Sequence, residues 1–243
     1  MISEDKFLHQ KVKLISYSGA ASDSDSQTKS DLTAQDLIAY CARVSNPANQ
    51  SNTQTADKLV KYLIKHKHWS PLEMVSATVE VETTRDIARQ MLRHRSFAFQ
   101  EFSQRYADPT AALDFVVRDA RLQDTKNRQN SIEAADEGLK LRWMSMQNEV
   151  LITAKKAYDW AISQGIAKEQ ARAVLPEGNT LSRLYMAGTL RSFVHYIDVR
   201  TGNGTQLEHM DVAVKIAQAI EPIFPLISDF NRQNSDDSQG QTE

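Results

Sequence analysis

The strongest candidate for a ligand-binding segment in this chain lies between residues 93 and 106. Its side chains with ionic or hydrogen-bonding chemistry include Arg93, His94, Arg95, Ser96, Glu101, Ser103, Gln104, Arg105 and Tyr106. A guanidinium presents a planar fork of donors that matches the oxygens of a phosphate, so three arginines this close together favour a phosphorylated ligand. Glu101 and Ser103 would then hydrogen-bond other parts of the same molecule.

The same segment also contains the aromatic residues Phe97, Phe99 and Phe102. One alternative is therefore an RNA-binding module, in which these rings stack on bases between the arginines. A plainer alternative is a basic surface segment that includes an amphipathic strand. The formal net charge of -2 disfavours a protein that coats nucleic acid, because such binding needs many Lys and Arg contacts. We therefore expect no nucleic-acid partner.

The composition is that of an ordinary globular domain. The chain has 243 residues, of which 41% are hydrophobic and 25% charged, and a single domain of this length can bury a sizeable core. The apolar run over 219–227 is interrupted by Glu221, Pro222 and Pro225 and is much shorter than the about 20 residues of a bilayer span. The first residues lack the basic and apolar regions of a secretory signal, so we expect a cytoplasmic protein without membrane contact.

The single cysteine, Cys41, limits the possible chemistry. One cysteine excludes an intrachain disulfide and a cysteine-based metal cluster, and we expect no metal site. Cys41 shares helical spacing with Leu37 and Val44, which predicts an inert thiol in the core rather than a nucleophile.

Several elements are predicted upstream of the 93–106 segment. Residues 11–17 have the pattern of a first strand, and residues 56–67 show helical spacing. Residues 75–81 alternate between apolar and polar side chains, which is typical of a half-buried strand.

The 93–106 segment itself begins at the predicted end of a helix. Thr83 or Thr84 can cap this helix, and Arg85, Arg89 and Arg93 form a row at i, i+4 and i+8 beside its apolar face. Beyond residue 96 the aromatic side chains alternate with smaller or polar ones, which indicates an extended conformation.

The second half of the chain is predicted to be mainly helical. Residues 119–137 are polar and irregular, like residues 18–35 and 232–243, so we expect flexible loops at 18–35 and 119–137 and a disordered tail at 232–243. The predicted helices cover about 143–161, 167–175, 181–196 and 206–221. The first of them has Trp143, Met146, Val150, Ala154, Ala157 and Ala161 on one stripe. The pattern favours a single α+β domain, with a mostly antiparallel sheet flanked by long helices.

Arg93-His94-Arg95, followed after seven further residues by Ser103, resembles the signature of the flavin-dependent thymidylate synthases. The resemblance extends over about residues 42–221. It includes an upstream segment, residues 68–73, in which His68 and Ser70 match the family's flavin-binding positions. It implies a methyltransferase that reductively methylates dUMP to dTMP, with FAD as cofactor and NADPH and 5,10-methylenetetrahydrofolate as co-substrates. It also implies a homotetramer that holds FAD at the subunit interfaces.

The resemblance implies a role for each matching residue. The implied FAD contacts are His68, Ser70, Arg93, His94, Arg95, Glu101, Arg191 and His195. The implied dUMP contacts are Gln90, Arg93, Glu101, Phe102, Ser103, Gln104, Arg105, Arg172 and Arg200. Among them, Arg172 would reach the phosphate. Arg200 would lie against the pyrimidine ring and stabilise negative charge that develops there, which makes it the candidate catalytic residue.

No cysteine lies near the signature, so a thiolate attack on the uracil ring is not expected. The resemblance implies that reduced flavin supplies hydride equivalents instead. Without the resemblance, four of these residues would be read as ordinary exposed polar side chains: His68, Arg172, Arg191 and His195.

A third alternative function is a non-catalytic nucleotide-binding regulator, which would keep the phosphate-binding arginines but lack the redox reaction.

Overall fold

A four-stranded antiparallel sheet forms the centre of the computed structural model, which describes residues 7, 9–21 and 32–233. Its strands are β1 (Lys11–Tyr17), β2 (Ser76–Thr84), β3 (Ala98–Glu101) and β6 (Leu181–Thr189), in the spatial order β1–β2–β6–β3. A separate two-stranded hairpin contains β4 (Arg121–Gln123) and β5 (Ser131–Glu133). The predicted class, α+β with a mostly antiparallel sheet, is confirmed.

The helices lie between and after these strands. They are α1 (Ala34–Ala42), α2 (Ala56–Lys65), α3 (Arg85–Met91), α4 (Pro109–Ala112), α5 (Glu137–Ser163), α6 (Lys168–Ala171), α7 (Leu190–Arg200) and α8 (Leu207–Ile220). Short 3₁₀ helices cover Pro47–Asn49, Ser70–Glu73, Arg172–Val174 and Pro225–Phe230. None of the helices in the described part of the chain is both long enough and apolar enough to cross a bilayer.

The main core packs one face of the sheet against α1, α2, α3, α7 and α8. The alternation predicted for residues 75–81 is confirmed, because Ala77, Val79 and Val81 of β2 are buried. Leu184 and Met186 of β6 continue the same buried layer. Each large apolar side chain buried in this way stabilises the fold by roughly 1.5–3 kcal/mol.

The helix predicted over residues 181–196 is wrong in its first half. Leu181, Leu184 and Tyr185 have helical spacing, but Ser182, Leu184 and Met186 are the buried residues, with a period of two. This segment is β6, which hydrogen-bonds β2 on one side and β3 on the other. Backbone pairing on both sides outweighs the local helical pattern, and the helix begins only at Leu190.

The irregular loop predicted over residues 119–137 contains the β4–β5 hairpin. Asp136 then caps α5, because its side chain accepts hydrogen bonds from the amides of Gly138 and Leu139. The hairpin was missed because its strands are three residues each and carry little apolar alternation.

The apolar stripe predicted for α5 is only partly buried. Ala154 and Ala161 face the interior, whereas Trp143, Met146 and Val150 are 44%, 50% and 55% exposed. The N-terminal half of α5 extends past the core of this one chain, where Gln147 is the buried residue.

Two further predictions concern the ends of the described ranges. Of the predicted loop over 18–35, residues 22–31 lie outside the described residues, and Thr33 caps α1. Of the predicted tail over 232–243, residues 234–243 also lie outside them. The prediction that Cys41 lies in the core is only partly right: α1 ends at Ala42, Val44 is 70% exposed, and Cys41 is partly buried. The partial burial nevertheless raises the pKa of Cys41, which disfavours a reactive thiolate.

Candidate active site

The Arg-His-Arg sequence lies in a turn that leaves the end of α3. The His94 amide donates to the Met91 carbonyl at 3.0 Å, and the Phe97 amide donates to the His94 carbonyl at 3.3 Å. Arg93 and Arg95 are exposed, and neither guanidinium pairs with a carboxylate among the described residues. Both side chains are therefore free to bind an anion.

Phe97 anchors this turn by packing its ring on β6 and α7. A methyl group at Gly188 of β6 would lie 2.4 Å from the Phe97 ring, so the glycine allows the ring to pack directly on the strand. Phe97 also contacts the rings of Phe193 and Tyr196 on α7. Phe97 and Phe99 both pack against the main core, which argues against their use as exposed platforms for stacking RNA bases.

Glu101 is held at the end of β3 by the neighbouring strand. Ser182 Oγ donates to Glu101 Oε1 at 2.8 Å, and Arg85 Nη1 lies 3.4 Å from the same oxygen. The Phe102 amide donates to the Arg183 carbonyl at 2.8 Å, so the pairing with β6 continues one residue beyond β3. This pairing fixes the start of the turn that carries Ser103, and the Tyr106 amide closes that turn on the Ser103 carbonyl at 3.1 Å.

A polar cavity of about 270 Å³ opens beside this turn, and we call it the Arg172 cavity. It is lined by Arg85, Arg89, Gln104, Glu169, Arg172, Ala173, Leu175 and Glu177. It brings together two implied nucleotide contacts, Gln104 and Arg172. Gln104 Nε2 is buried without a hydrogen-bond partner among the described residues, which leaves a donor for a ligand.

Carboxylates already neutralise part of the positive charge at this cavity. Arg105 pairs with Glu169 at 3.2 Å, and Arg89 pairs with Glu177 at 2.9 Å. Arg85 and Arg89 of α3 also line this cavity, although the resemblance implied no contact for them. The sequence signal for them was the predicted row of Arg85, Arg89 and Arg93 at spacings of four.

A larger cavity of about 430 Å³, which we call the Trp69 cavity, lies at α7. It is lined by Trp69, Ser96, Arg191, Ser192, Val194, His195, Asp198 and Phe230. Two implied FAD contacts, Arg191 and His195, therefore share a cavity with Ser96 of the signature segment. His68 and Ser70 flank Trp69 in sequence and are exposed. Four of the implied contacts therefore line a cavity, Gln104 and Arg172 in the Arg172 cavity and Arg191 and His195 in the Trp69 cavity, and the other implied contacts line neither of the two.

Arg200 is the last residue of α7, and its Nε donates to His94 Nε2 at 2.9 Å. Burial, together with the positive charge of Arg200, lowers the pKa of His94 to about 4. His94 is therefore neutral near pH 7, and its Nε2 has a lone pair that accepts from Arg200. No described carboxylate lies within ion-pair distance of Arg200, so its charge is held in place but not neutralised.

The β4–β5 hairpin supports the loop that follows Arg200. Asn130 Nδ2 donates to Asn203 Oδ1 at 2.9 Å. Gly204 has a φ of +86°, and a Cβ there would lie 2.6 Å from Gln129 Oε1. Glycine therefore meets two requirements at once, a left-handed backbone and close contact with the hairpin.

Two buried residues of the site were missed from the sequence. Tyr196 and His209 are 0% exposed, and the Tyr196 ring contacts the ring of His94 edge-on at 4.8 Å. A histidine among the apolar residues of the last helix was the available signal for His209.

Residues 28–226 match the family described as thymidylate synthase complementing protein. A probable flavin-dependent thymidylate synthase of Paramecium bursaria Chlorella virus 1 is 48% identical over 196 residues, which cover 81% of this chain and 89% of that protein. The chain belongs to the flavin-dependent thymidylate synthase family. A flavin-dependent thymidylate synthase of Synechocystis sp. is 46% identical over 197 residues, with coverages of 81% and 89%.

Solved structures place the fold in the same group. The UMP/dUMP methylase PolB from Streptomyces cacaoi, solved with 5-Br dUMP, superposes with a TM-score of 0.73 at 26% identity, covering 91% of this chain and 93% of that one. The family resemblance inferred from the Arg93-to-Ser103 signature is therefore confirmed, and the individual ligand contacts remain predictions.

Proposed function

We propose that this flavin-dependent thymidylate synthase family member methylates dUMP to dTMP. FAD would be its cofactor, and NADPH and 5,10-methylenetetrahydrofolate its co-substrates. The observation that carries the proposal is the contact between Arg200 and neutral His94, which joins the signature turn to an uncompensated cation at the end of α7. Membership of the family supplies the reaction class.

The Arg172 cavity is the proposed site of the dUMP phosphate. Its arginines offer the bidentate donors that phosphate oxygens prefer, and buried Gln104 Nε2 has no other partner among the described residues. Gln90, Arg93, Glu101, Phe102, Ser103 and Arg105 are the further proposed nucleotide contacts, and they lie between the end of α3 and the turn after β3. A phosphate anchored at one end would hold the uracil ring in a single orientation.

The residues of the Trp69 cavity fit a flavin dinucleotide in their chemistry. Trp69 offers an aromatic surface, and Arg191 and His195 offer donors to phosphate oxygens. His68, Ser70, Arg93, His94, Arg95 and Glu101 are the other proposed FAD contacts. When bound, FAD supplies the hydride equivalents of the reaction.

Arg200 is the proposed catalytic residue. Its guanidinium donates to His94 through Nε, so it is already oriented before a ligand binds. A fixed cation beside the uracil ring stabilises negative charge that develops there, without the cost of reorienting solvent.

Assembly as a homotetramer is a further part of the proposal. Leu139, Trp143, Met146 and Val150 are spaced as on one face of α5, and they are 40%, 44%, 50% and 55% exposed. We call them the α5 apolar face. Contiguous exposed apolar side chains of this kind mark association surfaces, and a second copy of the chain would cover them.

The test uses purified protein and the Arg200→Ala variant. Wild type should show flavin absorbance that bleaches with NADPH, and should form dTMP from dUMP. Arg200→Ala should keep the flavin and its bleaching but form dTMP at least about 100-fold more slowly, the usual loss when one fixed electrostatic donor is removed. Arg128→Ala, which removes an exposed arginine of the hairpin loop, is the matched control and should behave like wild type.

Other outcomes would point elsewhere. Flavin-free protein that binds dUMP would favour the non-catalytic regulator. Colourless protein that shifts labelled RNA would favour the RNA-binding module. Unchanged dTMP formation in Arg200→Ala would contradict the role proposed for Arg200.

A further inference from the structure

A continuous chain of side-chain hydrogen bonds runs through the interior beside the Arg200–His94 contact. Tyr196 Oη lies 3.0 Å from His209 Nε2, and His209 Nδ1 lies 3.1 Å from Gln90 Oε1. Gln90 Nε2 then donates to Gln206 Oε1 at 2.8 Å, and Gln206 Nε2 donates to Glu208 Oε2 at 3.0 Å. Arg121 of the hairpin binds the other oxygen of Glu208 at 2.5 Å.

The negative charge of Glu208 determines which group donates and which accepts in every hydrogen bond between Glu208 and Tyr196. Burial alone would raise the pKa of Glu208, but the hydrogen bond and positive charge of Arg121 outweigh it and the net pKa lies below its usual value. The ionised carboxylate can only accept, so Gln206 must turn its NH₂ group toward Glu208 and its carbonyl toward Gln90.

The same reasoning applies to the remaining hydrogen bonds, from Gln90 to His209 and from His209 to Tyr196. Gln90 must turn its NH₂ group toward the Gln206 carbonyl, which leaves Gln90 Oε1 facing His209. An oxygen there requires a proton on His209 Nδ1, so Nε2 is unprotonated and accepts from the Tyr196 hydroxyl. The alternative tautomer would place two acceptors 3.1 Å apart.

Burial maintains this arrangement. His209 is 0% exposed, and burial lowers its pKa to about 3, with Arg200 and His94 adding to the effect. Tyr196 is also 0% exposed, and burial raises its pKa above the usual range. The imidazole therefore stays neutral and the phenol stays protonated near pH 7.

We propose that His209 is a positioning residue for nucleotide binding, which fixes the side-chain amide of Gln90 by donating from Nδ1 to Gln90 Oε1. The inference rests on the proposed function, because Gln90 is a dUMP contact only there. With both ends of the amide fixed, Gln90 keeps one NH₂ hydrogen in a defined direction for the ligand. A preoriented donor avoids the conformational entropy that a mobile glutamine would lose on binding.

Two substitutions at position 209 separate this role from simple core packing. His209→Asn carries an amide nitrogen near the position of Nδ1, so it still donates to Gln90 Oε1. His209→Gln carries its amide near the position of Nε2, so it keeps the contact with Tyr196 and loses the donor to Gln90. Both variants introduce a side-chain amide into the same buried space.

The measurement is the dissociation constant of dUMP for the flavin-loaded protein, by titration calorimetry. His209→Asn should bind within about threefold of wild type, whereas His209→Gln should bind roughly five- to tenfold more weakly, the usual effect of one lost hydrogen bond. The defect should appear in KM for dUMP more than in kcat. Equal affinities in the two variants would overturn the proposal.

A measurement on wild type keeps the test independent of how the variants fold. Nitrogen-15 shifts of labelled histidine should show His209 as the neutral Nδ1-protonated tautomer at pH 7. An Nε2-protonated or charged ring would overturn the proposal even if dUMP binds. Wild type that fails to bind dUMP but shows the Nδ1 tautomer would refute the proposed function and leave the inferred direction of the bonds intact.

Discussion

At the scale of single residues, the site depends on two histidines that the fold keeps neutral. His94 accepts from Arg200, and His209 donates to Gln90. A proton added to His94 Nε2 would remove the acceptor that orients Arg200. The pKa of His94 is lowered to about 4 and that of His209 to about 3, so both contacts persist well below neutral pH.

The lowered pKa values predict loss of stability in acid. An unfolded chain protonates these imidazoles below a pH of about 6.5, whereas the folded chain does not until about 4 or 3, so stability falls as the pH drops through this window. Between pH 7 and pH 5, His209 alone should cost about 2 kcal/mol, and partly exposed His94 less than that. Urea unfolding at pH 7 and pH 5 should show a smaller loss in His209→Asn than in wild type. An identical loss in both proteins would mean that His209 does not titrate on unfolding.

The site residues that could be proposed from the sequence itself, without the resemblance, are those with distinctive chemistry close together in the chain. Arg93 to Arg105 needed no tertiary information, because one helix end, one short strand and one turn carry them all. His209 and Glu208 could not be assigned in this way. Their importance comes from contacts with Gln90 and Arg121, which are far away in sequence and meet them only in the folded chain.

At the scale of elements, the position of β6 decides the geometry of the site. Ser182 of β6 donates a hydrogen bond to Glu101, and Gly188 of β6 leaves room for the Phe97 ring. The sequence predicted β1, β2, α2 and α3 well because their apolar patterns repeat over a whole element. β6 was mistaken for a helix because its apolar residues match both periods, and only its pairing with two neighbouring strands resolves the ambiguity.

Gly188→Ala should disturb the signature turn through this contact. The new methyl group would lie 2.4 Å from the Phe97 ring, and Phe193 and Tyr196 limit where the ring can move. We expect a loss of about 1–3 kcal/mol of unfolding free energy, as for other overpacked core positions, together with weaker dUMP binding. Thermal unfolding and calorimetry measure both effects.

Gly178→Ala is the matched control for this substitution. A Cβ at Gly178 meets nothing within 4 Å, so its unfolding free energy should stay within about 0.5 kcal/mol of wild type. A Gly188→Ala protein as stable as this control would mean that Phe97 can move aside freely.

At the scale of the whole molecule, α5 is the helix whose apolar side chains are least covered by the rest of the chain. Of residues 137–150, Gln147 alone is buried, although the segment is rich in large apolar side chains. The sequence predicted a helix over about 143–161 with an apolar stripe, and α5 contains that helix but begins earlier, at Glu137. Periodicity identifies which side chains share a face, and it does not indicate which chain covers that face.

Val150→Glu should therefore weaken the proposed homotetramer. A carboxylate on the α5 apolar face would have to be buried without a partner in the assembled protein, which is costly. Light scattering should show a lower mass at a given protein concentration than for wild type. Lys156→Glu, on an exposed polar position of the same helix, is the control and should leave the mass unchanged. A Val150→Glu protein of wild-type mass would place the interface elsewhere.

The ion pairs of the Arg172 cavity have a consequence for which molecules can enter it. Glu169 and Glu177 already occupy Arg105 and Arg89 as internal counter-ions. An uncharged nucleoside would bind these guanidinium groups more weakly than Glu169 and Glu177 do, because it brings no negative charge. A phosphate dianion competes with them through greater charge and three oxygens, so we expect the cavity to bind deoxyuridine monophosphate in preference to deoxyuridine.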